Sequence, residues 1–296
     1  MRVLTHTVIE AEAGQPVKQL LLHLWGISGS FLSRLKFRQA ITVNGAPVTV
    51  RFVPCPGDVL AADVSDLPGE HPHIRPVDFP LDILYEDEDL LLINKPAGIA
   101  VHPAALTEET ATIAGAAAHY LHSESFHAVN RLDRGTTGVM AVAKTGFIHA
   151  RCMAMLHTDD FRREYRAVCE GIPSPAEGDI DLPIGRAEIS LLKRQADPLG
   201  QPAHTHYEVL AASQSRTLLR LTPTTGRTHQ LRVHMAAIGH PLTGDWLYGT
   251  EDRALIARPA LHSYHLRMMH PLTGTTIDVT APLPEDIQRL LKEERL

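Results

Sequence analysis

The segment Asn130-Arg131-Leu132-Asp133-Arg134-Gly135-Thr136-Thr137-Gly138 runs straight into Val139-Met140-Ala141-Val142-Ala143-Lys144. A polar, glycine-rich loop carrying a carboxylate between two arginines therefore feeds an apolar strand. Side chains alternate sides in extended chain, so Arg131 and Asp133 point one way while Leu132 turns toward the core. An acid held near guanidinium groups stays ionised at neutral pH, as a nucleophile or base must. A salt bridge stapling a loop satisfies the same pattern, and on charge alone both readings stay open.

Working outward, the chain from Leu81 to Leu296 alternates short strands with helices. Leu90–His102 (LLLINKPAGIAVH) reads as a buried strand ending in a Lys-Pro-Ala-Gly turn, and YRAVCEG, THYEVLAA and TLLRLTPT read as further strands. Thr228–Gly239 (THQLRVHMAAIG) is helical in spacing: Leu231, Met235 and Ile238 share a face, Thr228 can cap the start and Gly239 stops it. Strand-rich segments with interspersed helices imply an α+β fold with a mixed, largely antiparallel sheet rather than a doubly wound parallel one.

The first 65 residues have a different character. Between Gly14 and Phe52 stand five basic residues (Lys18, Arg34, Lys36, Arg38, Arg51) and no acidic one. Val17, Leu20, Leu21 and Leu24 recur at helical spacing, Ile27-Ser28 breaks the pattern, and a second helix opens near Ser28 or Ser30. ITVNGAPVTV then reads as strand, Asn-Gly turn, strand, and a last strand runs from Val59 to Val64 after Pro56-Gly57-Asp58. From Val64 to Leu90 eight acidic residues face the lone Arg75, and Pro68, Pro72, Pro76 and Pro80 discourage helix and central strand alike. The expected organisation is a small α+β module at 1–65, an acidic proline-rich linker at 66–80, and a larger domain at 81–296.

Composition narrows the function. The 296 residues are 44% apolar but only 5% aromatic, which allows a full, mainly aliphatic core and excludes wholesale disorder. A net charge of −6 excludes a uniformly basic nucleic-acid coat but hides the basic N-terminal module. No apolar run approaches the roughly 18 residues of a membrane span. The N-terminal stretch has glutamates where a signal peptide needs an apolar core. Cys55, Cys152 and Cys169 lie far apart without a CxxC pair, so no disulfide framework or zinc site is expected. The expected setting is the cytoplasm, and the default assembly a monomer.

Two further stretches matter. Thr224–His234 (TTGRTHQLRVH) places Arg227 and Arg232 around a helix start, where free N–H groups favour phosphate, although exposed arginines on a capped helix look the same. Glu164-Tyr165-Arg166-Ala167-Val168 is a strand whose tyrosine, taken alone, simply fills a sheet face. Together with LLINKPAGIAVHP, NRLDRGTTG, PSPAEGDIDLPIGR, TGRTHQLRVHMAAIGHPLTGDWLYG and LHSYHLRMMHPLTGTTIDVTAPLP, they resemble the RluA family of pseudouridine synthases through essentially all of Leu81–Leu296. The N-terminal pattern is similar to an S4 RNA-binding domain, with Lys36, Arg38, Asn44-Gly45 and Gly57-Asp58 at its signature places. A small module with a solvated basic face is the alternative there.

The resemblance implies that specific uridines in structured RNA are isomerised to pseudouridine after the base is flipped out, with no cofactor and no metal. It implies roles for three catalytic residues: Asp133 acts on the ribose, Arg232 pairs with it, and Tyr165 packs the uracil. Arg131 would fill the space the base vacates and Leu231 would help keep the pocket dry. Arg227, Lys95 and the basic Arg34, Lys36 and Arg38 would hold phosphates. Asn130 and Thr137 depart from the family's usual His and Ser, which puts loop geometry and substrate preference in question. Ribosomal RNA is the favoured substrate and transfer RNA the other. The 18 histidines raise a metal enzyme, but His229 with His234, and His262 with His265, fit no HExxH pattern. There is no P-loop or GxGxxG. The rival of a different class is a non-catalytic RNA-binding or assembly protein on the same fold. An ionised, desolvated carboxylate facing RNA phosphates, which such a binder does not need, argues against it.

Overall fold

β1 (Val3–Thr7) precedes two helices, α1 (Val17–Trp25) and α2 (Gly29–Phe37), and the helices lead into β2 (Ile41–Val43), β3 (Ala46–Pro47) and β4 (Val59–Asp63). Each boundary has a local cause. Gly26 ends α1 in the left-handed region at φ 59°, and Ser28 caps α2 by accepting from the Phe31 N–H at 3.2 Å. Asn44 (φ 49°) and Gly45 (φ 80°) make the tight turn between β2 and β3, as an Asn-Gly pair does in a hairpin. The four strands form an antiparallel sheet in the order β1-β4-β2-β3. Val17, Leu20, Leu21, Leu32 and Leu35 from the helices are buried against it.

The computed structural model describes residues 1–67, 74–103, 111–123, 125–187, 190 and 192–296. Pro68, Glu70 and Pro72 of the expected linker lie outside the described residues. Beyond it come β5 (Ile83–Glu86), β6 (Leu90–Lys95), α3 (Ile113–Tyr120), β7 (His127–Ala128), β8 (Thr137–Ala143), α4 (Gly146–Met155), β9 (Phe161–Glu170), β10 (Glu177–Asp181), β11 (Ile184–Arg186), β12 (Arg194–Ala196), β13 (His204–Ala212), β14 (Arg216–Pro223), α5 (Gln230–Ala237), β15 (Leu261–Met269), β16 (Thr276–Thr280) and α6 (Glu285–Glu294). The main sheet runs β10-β13-β14-β9-β15-β8-β6-β5, with β16 on β15, β7 on β8, and a separate β11-β12 hairpin. Among the described residues β8 and β15 pair in parallel and the other neighbours are antiparallel, so the mixed, largely antiparallel α+β expectation holds.

β8 is apolar without alternation because both of its faces are covered. Val139, Ala141 and Ala143 pack with Phe147 and Ile148 of α4 and with the N-terminal module, while Met140 and Val142 pack with Ile113, Ala114 and Ala117 of α3. The N-terminal module thus closes one face of the larger sheet. Arg2 grips Asp89 with two bonds of 2.7 and 3.0 Å, Phe31 and Phe147 meet as a tilted ring pair at 5.2 Å, and Arg151 donates both to the Trp25 carbonyl at the end of α1 and to the Pro271 carbonyl. Asp66 accepts from the Gly146 N–H at the start of α4 and bonds to His127, each at 2.8 Å. Burial works against its charge, yet these bonds hold its carboxyl below the usual range. Arg151→Met strips two donors from this seam and is expected to cost about 1–3 kcal/mol in denaturant unfolding. A change within error would mean that the seam is not energetically coupled.

Gly138 is required where β8 meets β15. Its φ is 105°, and a Cβ there would stand 2.1 Å from the Ser263 carbonyl oxygen. The last residue of the Asp133 loop is thereby pinned to the next strand. Among the described residues no helix is long and apolar enough to cross a membrane.

Candidate active site

A cleft of about 600 Å³ opens where the Asp133 loop, β9 and the start of α5 converge. Its lining includes Arg131, Leu132, Asp133, Arg163, Tyr165, Arg227, His229, Leu231 and Arg232. The alternation read from the sequence is present: Leu132 is buried in the core, Asp133 is partly open to the cleft and Arg131 is exposed at its mouth.

The Asp133 loop is held from beneath by backbone bonds. Gly98 N–H donates to the Arg134 carbonyl at 2.9 Å and Arg134 Nε returns a bond to the Gly98 carbonyl at 2.8 Å. Arg258, clamped to Asp286 by two bonds of 2.6 and 2.8 Å, reaches the Gly135 carbonyl at 3.0 Å. Lys95 belongs to the same scaffold, and here the expectation needs correcting. It is fully buried, donating Nζ to the Pro96 and Arg134 carbonyls at 2.8 and 3.2 Å, and burial pushes its pKa down to about 8. A group so placed supports the loop and is not available to an RNA phosphate.

Asn130 and Thr137, the two departures from the family pattern, have structural work. Asn130 Oδ1 accepts from the Ala141 N–H at 2.8 Å, and Thr137 Oγ1 lies 2.8 Å from His262 Nδ1. His262 Nε2 lies 3.2 Å from the Ala281 carbonyl, an acceptor only, so Nε2 carries the proton and the Thr137 hydroxyl donates to Nδ1. That arrangement requires a neutral ring, and burial indeed pushes the pKa of His262 from 6.5 down to about 4. The unfolded chain then binds a proton that the folded one refuses. Stability is full above pH 6.5 and is lost as pH falls toward 4, by about 3 kcal/mol. Unfolding midpoints across this range should show that slope, and His262→Gln should flatten it; an equal slope in the variant would refute the assignment.

Opposite the loop, Arg232 projects from the first turn of α5. Its Nη1 donates to Asp133 Oδ2 at 3.3 Å, while Nε and Nη2 make a bidentate pair with Asp245 at 2.7 and 2.8 Å. Burial opposes the charge, but the two carboxylates hold the guanidinium pKa above its ordinary value. Asp245 is itself fully buried and also accepts from the Leu247 and Tyr248 N–H groups. The Tyr248 ring lies 5.0 Å from the guanidinium carbon. Arg232 is therefore fixed from behind and offers one edge to Asp133, an arrangement that orients a carboxylate without neutralising both of its oxygens.

His229 completes the wall. Its Nε2 lies 3.8 Å from Asp133 Oδ2 and its Nδ1 2.8 Å from the Tyr248 hydroxyl. Arg194 N–H donates to that hydroxyl, whose proton is then free for His229 Nδ1. Burial lowers the pKa of His229, although Asp133 pulls the other way. His229 also corrects the capping expectation: it, not Thr228, is the N-cap of α5, in the left-handed region at φ 58° and without a side-chain cap. Gln230 serves the turn instead, its Oε1 accepting from Arg227 N–H and Thr225 Oγ1.

Tyr165 lines the cleft, with burial raising its phenol pKa and the neighbouring Arg163 charge opposing that rise. Leu231 is buried beside it. Arg227 is half-buried and spends Nε on the Pro202 carbonyl at 3.0 Å. In the N-terminal module Arg34 and Lys36 are exposed, whereas Arg38 is turned inward onto the Ser65 carbonyl at 2.7 Å and toward Asp63. Arg38 thus ties down the end of the module rather than presenting its charge. Among the described residues no group of three His, Cys, Asp or Glu is arranged to hold a metal ion.

The family described as RNA pseudouridylate synthase matches residues 89–237, which span the Asp133 loop, the Tyr165 strand and the Arg232 helix. The chain belongs to this family. It is similar to the "Uncharacterized RNA pseudouridine synthase YjbO" of Bacillus subtilis (strain 168), at 41% identity over 91% of this chain and 96% of that one. It is also similar to "Ribosomal large subunit pseudouridine synthase D" of Escherichia coli (strain K12), at 37% identity over 99% and 94%. Among solved structures, human RNA pseudouridylate synthase domain containing 4 superposes with a TM-score of 0.59 at 26% identity, covering 72% of this synthase and 93% of its own chain. Asp133, Tyr165 and the adjacent Leu231 and Arg232, expected from three separate motifs, meet in this synthase's cleft. Asp245 and Tyr248 are not singled out by the sequence, although both sit in the quoted TGDWLYG stretch, and His229 is weighed there only as a metal ligand.

Proposed function

We propose that this pseudouridine synthase isomerises specific uridines of ribosomal RNA, with Asp133 acting on the ribose. In the reaction the N1–C1′ bond breaks, the uracil turns, C5 bonds to C1′, and the proton lost from C5 is balanced by one gained at N1. Nothing is oxidised and no atom is gained or lost. The observation that carries the reading is the placement of Asp133 in the cleft, 3.3 Å from a guanidinium that is itself locked to Asp245. Such a carboxylate is charged, directed and half-shielded from water, as attack on C1′ or removal of a sugar proton demands. Tyr165 then packs the everted uracil, a contact worth about 1–3 kcal/mol. Arg131, exposed at the mouth, fills the gap in the RNA stack, while Leu231 keeps the site dry.

Ribosomal RNA is favoured over transfer RNA because the Escherichia coli relative is named for the ribosomal large subunit and aligns along nearly the whole chain. The module at 1–65, with Arg34 and Lys36 outward, acts in this reading as an S4-like RNA grip, joined through residues 66–80 to the synthase domain at 81–296. The protein works as a monomer in the cytoplasm. Pseudouridine mapping by carbodiimide modification, across total RNA of cells with and without the gene, is the test. Loss of discrete sites in large-subunit RNA is the expected result; loss confined to transfer RNA would overturn the substrate assignment, and no loss anywhere the activity.

A further inference from the structure

Arg163 stands apart from the other cations of the cleft. It is 6% exposed, lines the cleft, and among the described residues has no carboxylate partner. Its Nη2 reaches the Thr225 carbonyl at 3.2 Å and the Pro223 carbonyl at 3.5 Å, and its Nε is buried with no hydrogen-bond acceptor. The neighbouring carboxylate does not serve it, because Glu164 is engaged by Arg166 and Arg220. Arg232, by contrast, is paired with two acids. A buried guanidinium left with two carbonyls and the face of the Phe161 ring, whose centre is 5.8 Å from its carbon, is short of one negative charge.

We propose that Arg163 is the receptor for a backbone phosphate of the RNA next to the everted uridine. Arg163 and Tyr165 are two apart on β9 and share a face, about 7 Å along the strand. A base packed on Tyr165 therefore keeps its own backbone within reach of Arg163. A uracil carbonyl could accept a bond there but would leave the charge uncompensated, whereas a phosphate satisfies both and suits the guanidinium fork. The proposal rests on the synthase reading above.

The test uses the full-length protein and a short stem–loop RNA carrying a mapped target uridine, with each flanking phosphate replaced in turn by a neutral methylphosphonate. Wild type should lose about 10-fold or more in affinity at one flanking position. Arg163→Gln should bind the unmodified RNA that much more weakly, lose nothing further at that position, and show a log–log salt slope shallower by about 0.7; Arg163→Lys should recover part of the loss. No sensitive position in the wild type overturns the proposal, and that arm needs no variant to fold. A variant that binds normally but turns over slowly overturns it too, since Arg163 would then act on the base. Equal methylphosphonate sensitivity in wild type and variant does the same. If the wild type forms no pseudouridine at all, the synthase reading fails instead.

Discussion

Asp133→Ala is expected to abolish pseudouridine formation, lowering kcat by about four orders of magnitude or more, while RNA affinity stays within a few-fold of wild type. The two effects separate because of how the site is built. Arg232 keeps its bidentate pair with Asp245 when Asp133 is removed, so no buried charge is stranded and the fold persists. The Asp133 loop also keeps its supports, which run through the backbone of Arg134 and Gly135 rather than through the carboxylate. Asp133→Asn preserves shape and should be as inactive, since the amide can neither attack C1′ nor take a proton. Single-turnover assays with saturating enzyme, beside filter binding of the same RNA, separate the two quantities. Turnover within ten-fold of wild type would remove Asp133 from the chemistry.

Asp245→Ala is expected to destabilise the protein by about 3–5 kcal/mol and to slow the reaction as well. The carboxylate is fully buried, and its loss leaves the Arg232 guanidinium with a 3.3 Å contact to Asp133 as its remaining acidic bond. The Leu247 and Tyr248 N–H groups lose their acceptor at the same time. Freed from behind, Arg232 can close fully on Asp133 and neutralise the oxygen that reacts. Denaturant unfolding reads the first effect and kcat the second. A destabilisation below about 1 kcal/mol would show that the Arg232–Asp245 pair is not what fixes the site.

The contrast between these residues explains what the sequence revealed. Asp133 was legible because its loop concentrates charge, glycine and threonine ahead of an apolar run, and Arg232 because it sits in a dense polar helix start. Asp245 was not, since Asp-Trp-Leu-Tyr has no neighbouring charge to betray a partner thirteen positions earlier on another element. His229 drew attention as a possible metal ligand, whereas its position depends on a left-handed backbone and on Tyr248. Lys95 shows the converse failure. Its turn was read correctly, but a lysine between a strand and a Pro-Ala-Gly turn looks solvated until β8 and the Arg134 carbonyl close over it. The N-terminal hairpin and both helices followed from local turn and cap chemistry. Their docking did not, because Arg2 meets Asp89, and Arg151 meets the Trp25 carbonyl, across long stretches of chain.

Incubating unmodified large-subunit ribosomal RNA with purified wild-type protein in one reaction, and with the Asp133→Asn variant alone in another, puts the central claim to its most direct test. Carbodiimide-dependent stops should appear at discrete uridines with the wild type alone, without added cofactor and without change in RNA mass. The same stops in the Asp133→Asn reaction, or none in either, would contradict the claim.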